Sequence, residues 1–463
     1  VKHGLKTCET ARHHLGEDDP ELEACLSNLA LIYKARGQYS QAEPLLKESL
    51  EISRRTRGEN NPDFVTGLNN LANLYADTGR YSEAETLYLQ SLEIIRANAG
   101  EANAFMVKGL NNLASLYNRM GNFVAVEPLY AKARDLLASM PGDNQADLAV
   151  VLSNLAHHIC VLGRYVEAES LYRQSLEISR KTLGEQHPQV ARTLNNLGSL
   201  HEAMGRYAEA EPLYQEALAV LTASSGKESP DVAAVLNNLA GLFKTMGDYP
   251  KAERFYRQAS DIWRAVLGED HPQFASGLSN LADLHYQMGD FAAAEQLYER
   301  ALTIERASLG GTHADVALTL QNLAVLYKAT GRYQEAEPLY RKAHEIWKTS
   351  MGDWHPNVAL ALHNLAALHH GMGRYAEAET LYRQALDLRT VTLGADHPDV
   401  AATANNLAAL CAATSRESEA LALMNRAQST NDHLIQNVVA IASESQRLHY
   451  LKRLRGRWTP ICR

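Results

Sequence analysis

The chain has 463 residues, with 45 Lys plus Arg against 54 Asp plus Glu and a formal charge of −9 with histidine neutral, a balance that argues against a general nucleic-acid binder. Hydrophobic residues make up 46% and charged residues 21%, so the chain can bury a large core and lacks the composition of a disordered one. No apolar run approaches the roughly 20 residues that span a bilayer, and residues 1–20 lack the apolar centre of a signal peptide.

In chain order, residues 1–16 come first. CETARHHLG at 8–16 is in phase with the end of later helices such as ISRKTLG at 178–184, so this stretch reads as the end of a preceding helix or an N-terminal cap. Val1 fits a chain missing its start. From residue 17 a strict repeat takes over, and it governs the whole reading because a missed repeat miscalls the fold. Asn followed by Leu recurs at Asn28, Asn70, Asn112, Asn154, Asn196, Asn238, Asn280, Asn322, Asn364 and Asn406, always 42 residues apart. Two glycine series keep the same period, one from Gly16 to Gly394 and one from Gly37 to Gly373. Each glycine ends a helical pattern where left-handed backbone is required, so each unit holds two helices.

Starts agree with stops. Pro20, Pro62, Pro188, Pro230, Pro272, Pro356 and Pro398 share one phase, preceded by Asp19, Asn61, His187, Ser229, His271, His355 and His397. A capping residue followed by proline at the first helical position is a helix start, because the missing N–H there costs nothing. Pro44, Pro128, Pro212 and Pro338 fall near the start of second helices. Between these marks the apolar spacing is three or four, as in Val190, Leu194, Leu197 and Leu200, then Ala210, Leu213, Tyr214, Ala217 and Leu218. A single hairpin cannot bury its own apolar stripe, so the units stack into one all-α solenoid of antiparallel helix pairs. Ten units occupy 17–428, and 429–463 is a separate helical, basic tail. Residues 447–463 carry six cations and no acid, leaving −15 for the rest of the chain. By charge alone that tail suits a nucleic-acid or acidic partner.

Catalytic and metal chemistry find little footing. His187, His271, His313, His355 and His397 are one repeat position, and His157/His158 and His369/His370 are adjacent on a helix, so their side chains diverge. No HExxH, P-loop, GxGxxG or GxSxG occurs, and a Cys160–His157 dyad would lack an orienting group. The five cysteines, Cys8, Cys25, Cys160, Cys411 and Cys462, are too far apart for a CxxC pair and form no disulfide framework, which predicts a reducing, cytoplasmic setting. The sequence therefore predicts no catalytic residue, no metal, no cofactor and no membrane span.

The run LNNLGSLHEAMGRYAEAEPLYQEAL at 194–218 resembles a tetratricopeptide repeat, and the 42-residue unit with NNLAxLY and a GxxHPDVA connector resembles the kinesin-light-chain type. The likeness covers roughly 8–428, with the tenth copy departing at Ser415 and Glu417. It implies a right-handed superhelix whose concave face is lined by the first helix of each unit. On that helix the residues four and one before, and three, six and seven after, the repeated Asn share its face. The residue just before the Asn is polar in every copy, as at Asn111, Asn195 and Asn237, and the charges are sparse and mildly basic, with Lys108, Arg119, Arg192 and Lys244 among them. An amide-rich face suits an extended peptide backbone, and the cations suit acidic groups on such a ligand.

The kinesin-light-chain resemblance implies cargo-peptide contact at Asn112, Asn154, Asn196, Asn238 and Asn280. The other reading of a repeated Asn, a bond to the neighbouring helix, stays open. A chaperone-tail carboxylate clamp requires a lysine just before the repeated Asn, and none is present. The SESQRLHYL stretch is similar to the connector that precedes the caspase-like domain of bacterial TPR–CHAT proteins, which implies a sensing or scaffold half of a regulated hydrolase. The function expected is thus a non-catalytic protein-binding scaffold, with a TPR–CHAT regulatory part as the alternative and a catalytic solenoid behind both.

Overall fold

The computed structural model describes residues 19–140 and 144–439, the last nine by backbone alone, and over these residues the chain is twenty α-helices with no strand. The first helices of the ten units are α1 (Pro20–Lys34), α3 (Pro62–Asp77), α5 (Ala104–Arg119), α7 (Gln145–Val161), α9 (Pro188–Ala203), α11 (Pro230–Met246), α13 (Pro272–Gln287), α15 (Ala314–Ala329), α17 (Pro356–Gly371) and α19 (Pro398–Ala413). The second helices are α2 (Tyr39–Arg57), α4 (Tyr81–Ala99), α6 (Phe123–Ser139), α8 (Tyr165–Leu183), α10 (Tyr207–Ser225), α12 (Tyr249–Leu267), α14 (Phe291–Leu309), α16 (Tyr333–Met351), α18 (Tyr375–Leu393) and α20 (Glu417–Val439). The boundary expected near residue 428 falls inside α20, which runs unbroken to Val439. The N-terminal stretch 1–16, Gly142 and the basic segment from 447 lie outside the described residues.

Local chemistry sets these ends. Side chains of Asp19, Asn61, Ser229 and His271 accept the backbone N–H two residues on, at 2.7, 2.8, 3.3 and 3.1 Å, and satisfy one orphan donor each. In the tenth unit Ser415 takes the place of the turn glycine and still adopts φ +59°, the one positive φ outside glycine among the described residues. The turn thus imposes left-handed backbone even where the sequence does not favour it.

Each helix packs on its chain neighbours, and successive first helices also touch. Ala30, Ala72, Ala114, Ala156 and Ala240 are fully buried, as are Ala42, Ala84, Ala168 and Ala210 on the second helices, which is what lets paired helices approach. At Gly198 a Cβ would lie 2.9 Å from the Tyr214 ring. A second, polar link repeats between units: the arginine of the turn between paired helices, in Gly-Arg-Tyr or, in the tenth unit, Ser-Arg-Glu, reaches back to a glutamate of the previous second helix. Arg80 meets Glu43 at 2.7 Å, Arg164 meets Glu127 at 2.6 Å, Arg206 meets Glu169 at 2.9 Å, Arg332 meets Glu295 at 2.8 Å and Arg416 meets Glu379 at 2.7 Å. Arg206 is only 2% exposed, so that pair is structural rather than a solvated surface bridge.

The array then closes on itself. Gly37, Gly79, Gly121 and Gly163, in the turns after α1, α3, α5 and α7, lie against His271, His313, His355 and His397, the caps of α13, α15, α17 and α19. Six units therefore make one superhelical turn, and units seven to ten sit end-on against units one to four.

Candidate ligand-binding face

The face expected to bind ligand is the side of the odd-numbered helices that carries the repeated asparagine. The structure gives that asparagine a neighbour. Asn154 Nδ2 donates to Asn111 Oδ1 at 2.9 Å, Asn238 Nδ2 to Asn195 Oδ1 at 2.9 Å, and Asn280 Nδ2 to Asn237 Oδ1 at 2.8 Å. Asn406 Nδ2 pairs with His363 Nε2 at 3.0 Å in the same way. Two positions singled out separately in the sequence are thus one device, an amide ladder by which units four, six, seven and ten grip the unit before. Asn112 and Asn196 are half-buried on the same face. A carboxamide has two N–H groups and two acceptor lone pairs, so one ladder bond leaves further capacity on each side chain.

The cations of this face are mostly neutralised by acids on adjacent units. Asp77 lies between Lys34 at 2.9 Å and Arg119 at 3.2 Å, and Arg119 also stands over the Tyr81 ring at 5.4 Å. Lys244 pairs with Asp283, and Arg192, largely exposed, lies 3.6 Å from Asp231. Lys108 is exposed. The basic excess read from composition therefore does not form one open patch. Lys328 stands out instead: it is half-buried, and desolvation pulls its ammonium below the usual lysine range.

A cleft of about 740 Å³ runs where the two turns meet, lined by Lys34, Tyr39, Asp77, Tyr81 and Arg119 from the first turn and by His271, Gln273, His313, Asp315 and His355 from the second. Its charges are internally matched, and burial together with Asp77 and Asp315 pushes the Tyr39 phenol up to about 12. Nucleophilic chemistry finds no support on this face. Burial pushes the Cys160 thiol up to about 11, and burial chiefly, with Arg164 and His157, holds His158 down to about 4. Cys160 and Cys411 are free thiols and Cys25 is disulfide-bonded, a pairing that cysteine spacing did not predict. Among the described residues no group of three His, Cys, Asp or Glu is placed to hold a metal ion, and no helix is long and apolar enough to cross a membrane.

Sequence reasoning missed two features. The Gly-Arg-Tyr arginine had a signal, its fixed step of 37 residues from a glutamate. The contact between superhelical turns had only the recurrence of histidine at one connector position. The SESQRLHYL stretch lies outside the described residues.

The tetratricopeptide repeat profile matches residues 21–97, 63–139, 147–223, 231–305, 273–349 and 357–430, and a second tetratricopeptide repeat profile matches 195–263. No curated protein matches the chain significantly in sequence. Among solved structures, BtubC (BKLC) from P. vanneervenii is 26% identical over 60% of this chain and 94% of its own, with a TM-score of 0.31. The nearly identical TPR-like repeats of a Podosopora anserina protein described as a kinesin light chain are 25% identical over 45% of this chain and 99% of theirs, with a TM-score of 0.37. A Rap protein complexed with Competence and Sporulation Factor is 14% identical over 81% of this chain and 99% of its own, with a TM-score of 0.54, a likeness of fold.

Proposed function

The chain belongs to the tetratricopeptide repeat family, and from that premise we propose that it is a non-catalytic scaffold which binds an extended segment of a partner protein along the inner face of its odd-numbered helices. What carries the reading is the amide ladder. It recurs at the unit spacing, and each carboxamide in it has hydrogen-bonding capacity beyond its ladder bond, of the kind the backbone of an extended peptide requires. Lys108, Arg192 and Lys328 supply scattered positive charge for acidic groups on the ligand. Recognition comes from a preformed surface, so little ordering entropy opposes binding on the protein side.

The test replaces Asn154, Asn196 and Asn238 by Ala and measures thermal melting beside partner capture. Because their ladder bonds are also lost, the substitutions at Asn154 and Asn238 cost about 1 kcal/mol of stability each. Loss of captured partners with a modest fall in Tm supports the reading. A large fall in Tm with the same partners captured would reduce the ladder to a purely structural role.

A further inference from the structure

His271, His313, His355 and His397 each bond within their own helix first. The Nδ1 atoms accept the backbone N–H of Gln273, Asp315, Asn357 and Asp399 at 3.1, 3.1, 3.0 and 3.2 Å. With Nδ1 accepting, the ring proton resides on Nε2. That proton points at the other turn. His313 Nε2 donates to the Asp77 carbonyl at 3.2 Å, and the rings of His271 and His355 face the carbonyls of Ala35 and Arg119. The step is 236 residues each time. His397 packs against Gly163 in the same register.

The matching caps of units one to three are the shorter Asp19, Asn61 and Asn103. His187, in the unit between, is exposed. At the opposite edge, Gly247, Gly289, Gly331 and Gly373 meet nothing within 4 Å of where a Cβ would stand. The histidine caps of units seven to ten thus lie along the seam where the turns meet, each against a turn glycine of the other turn. The cleft along this seam is lined by inner-face positions such as Leu31, Lys34, Gln273 and Ser276, so closing the seam covers part of the inner face.

We propose that the seam is a gate on the inner face: while neutral, these histidines latch one superhelical turn to the next, and on taking up a proton they release it. Protonation places an N–H on Nδ1, directly opposite the backbone N–H that it must accept. The charge also arrives at the positive end of the upper helix, where a cation is disfavoured. The Nε2 bond to the carbonyl end of the lower helix strengthens, but it cannot restore the cap. The surroundings decide which rungs respond. His313 has Asp315 at 3.6 Å on its own helix and Asp77 and Arg119 from the lower turn, so its aspartates partly offset the cost. His271 faces the Ala35 carbonyl beside Lys34 and Tyr39, and His355 faces the Arg119 carbonyl with Arg119 itself nearby, neither with an acid against the ring. His397 has Asp399 at 4.0 Å and Arg389 bonded to the Asp399 carbonyl.

Burial holds His271 and His313 below the usual histidine range and His355 down to about 4. A histidine depressed in the closed state favours closure above its ordinary value of about 6.5 and loses that contribution as pH falls toward the closed-state value. The open form therefore gains as pH falls through about 6 to 4.

The gate is read without any ligand, so its failure would leave the binding proposal standing, and the reverse. Small-angle scattering of the full chain, with circular dichroism for helix content, is recorded from about pH 7.5 down to about pH 5. The pair-distance distribution shifts to longer vectors as pH falls while helix content holds. The variant His271→Asn/His313→Asn/His355→Asn keeps a capping side chain, as Asn61 and Asn103 do, but cannot span the seam. It gives the long distribution already at about pH 7.5 and does not respond to acid. His355→Asn alone gives a partial shift. A wild-type profile unchanged across the window, or variants that superpose on the wild type at neutral pH, would overturn the gate.

Discussion

Glu305 brings a carboxyl into the interior of α14, where it is 2% exposed. Thr319 donates to Oε1 at 3.0 Å, and Oε2 has no partner. Burial, with Asp315 nearby, pushes the acid up to about 8, so the native chain holds this proton at neutral pH. The sign follows from linkage. A raised carboxyl contributes its stability in full below the unfolded value near 4.5 and loses it as pH climbs to about 8. Glu305→Gln keeps the shape and removes the titration. It should leave stability at acid pH little changed and raise it by a few kcal/mol, as an order of magnitude, near pH 8. Denaturant unfolding of both chains across that range reads the difference, and parallel curves would mean that Glu305 ionises freely. The same residue shows why the core is harder to read than the repeat. Equivalent positions hold Trp263, Trp347 and Arg389, each solving its burial differently: Trp347 Nε1 donates to the Ala314 carbonyl at 3.2 Å, and Arg389 to Thr403 Oγ1 at 2.7 Å.

At the scale of the element, the turns between paired helices separate two roles of glycine. Gly121 and Gly373 occupy the same turn, with φ +71° and +75°. A Cβ on Gly121 would come within 2.9 Å of the His355 ring and 3.0 Å of Pro356, whereas one on Gly373 meets nothing within 4 Å. Gly373→Ala therefore costs only the left-handed backbone, about 1 kcal/mol. Gly121→Ala costs that and a further 1–3 kcal/mol of crowding, approximately, or else pushes the seam open. Thermal melting and scattering of the two variants distinguish these, and equal effects would mean that the turns do not touch at Gly121. Helices, caps and phase were legible in the sequence because glycine and proline act within a few residues of themselves. The ladder was half legible. Periodicity placed Asn154 and Asn111 on one face, but their bond crosses between units, and only the rotation from one unit to the next brings them together. The seam was not legible at all, since it sums six such rotations and no local pattern records the total.

At the scale of the whole molecule, the strict period makes a further prediction. Because every unit adds the same step, removing residues 185–226 deletes one unit and joins Gly184 to Lys227 in phase. The chain that remains is still a solenoid of nearest-neighbour contacts, so no helix loses the kind of partner it had. The seam, set by six units per turn, moves by one rung. His313 leaves the Asp77 carbonyl for that of Ala35, His355 takes the place over Asp77, and His397 the place over Arg119. The histidine caps thus still meet the lower turn, with one rung fewer. Removing only 185–205, one helix and its turn, instead sets two second helices in succession and puts an unsuited face against α8. The expected result is unchanged mean-residue ellipticity and a still-closed turn by scattering for the 42-residue deletion, against loss of both for the half-unit deletion. If the whole-unit deletion opens the turn, closure depends on particular residues of the fifth unit rather than on a rotation shared by all of them. The seam would then be a local contact and not a property of the repeat.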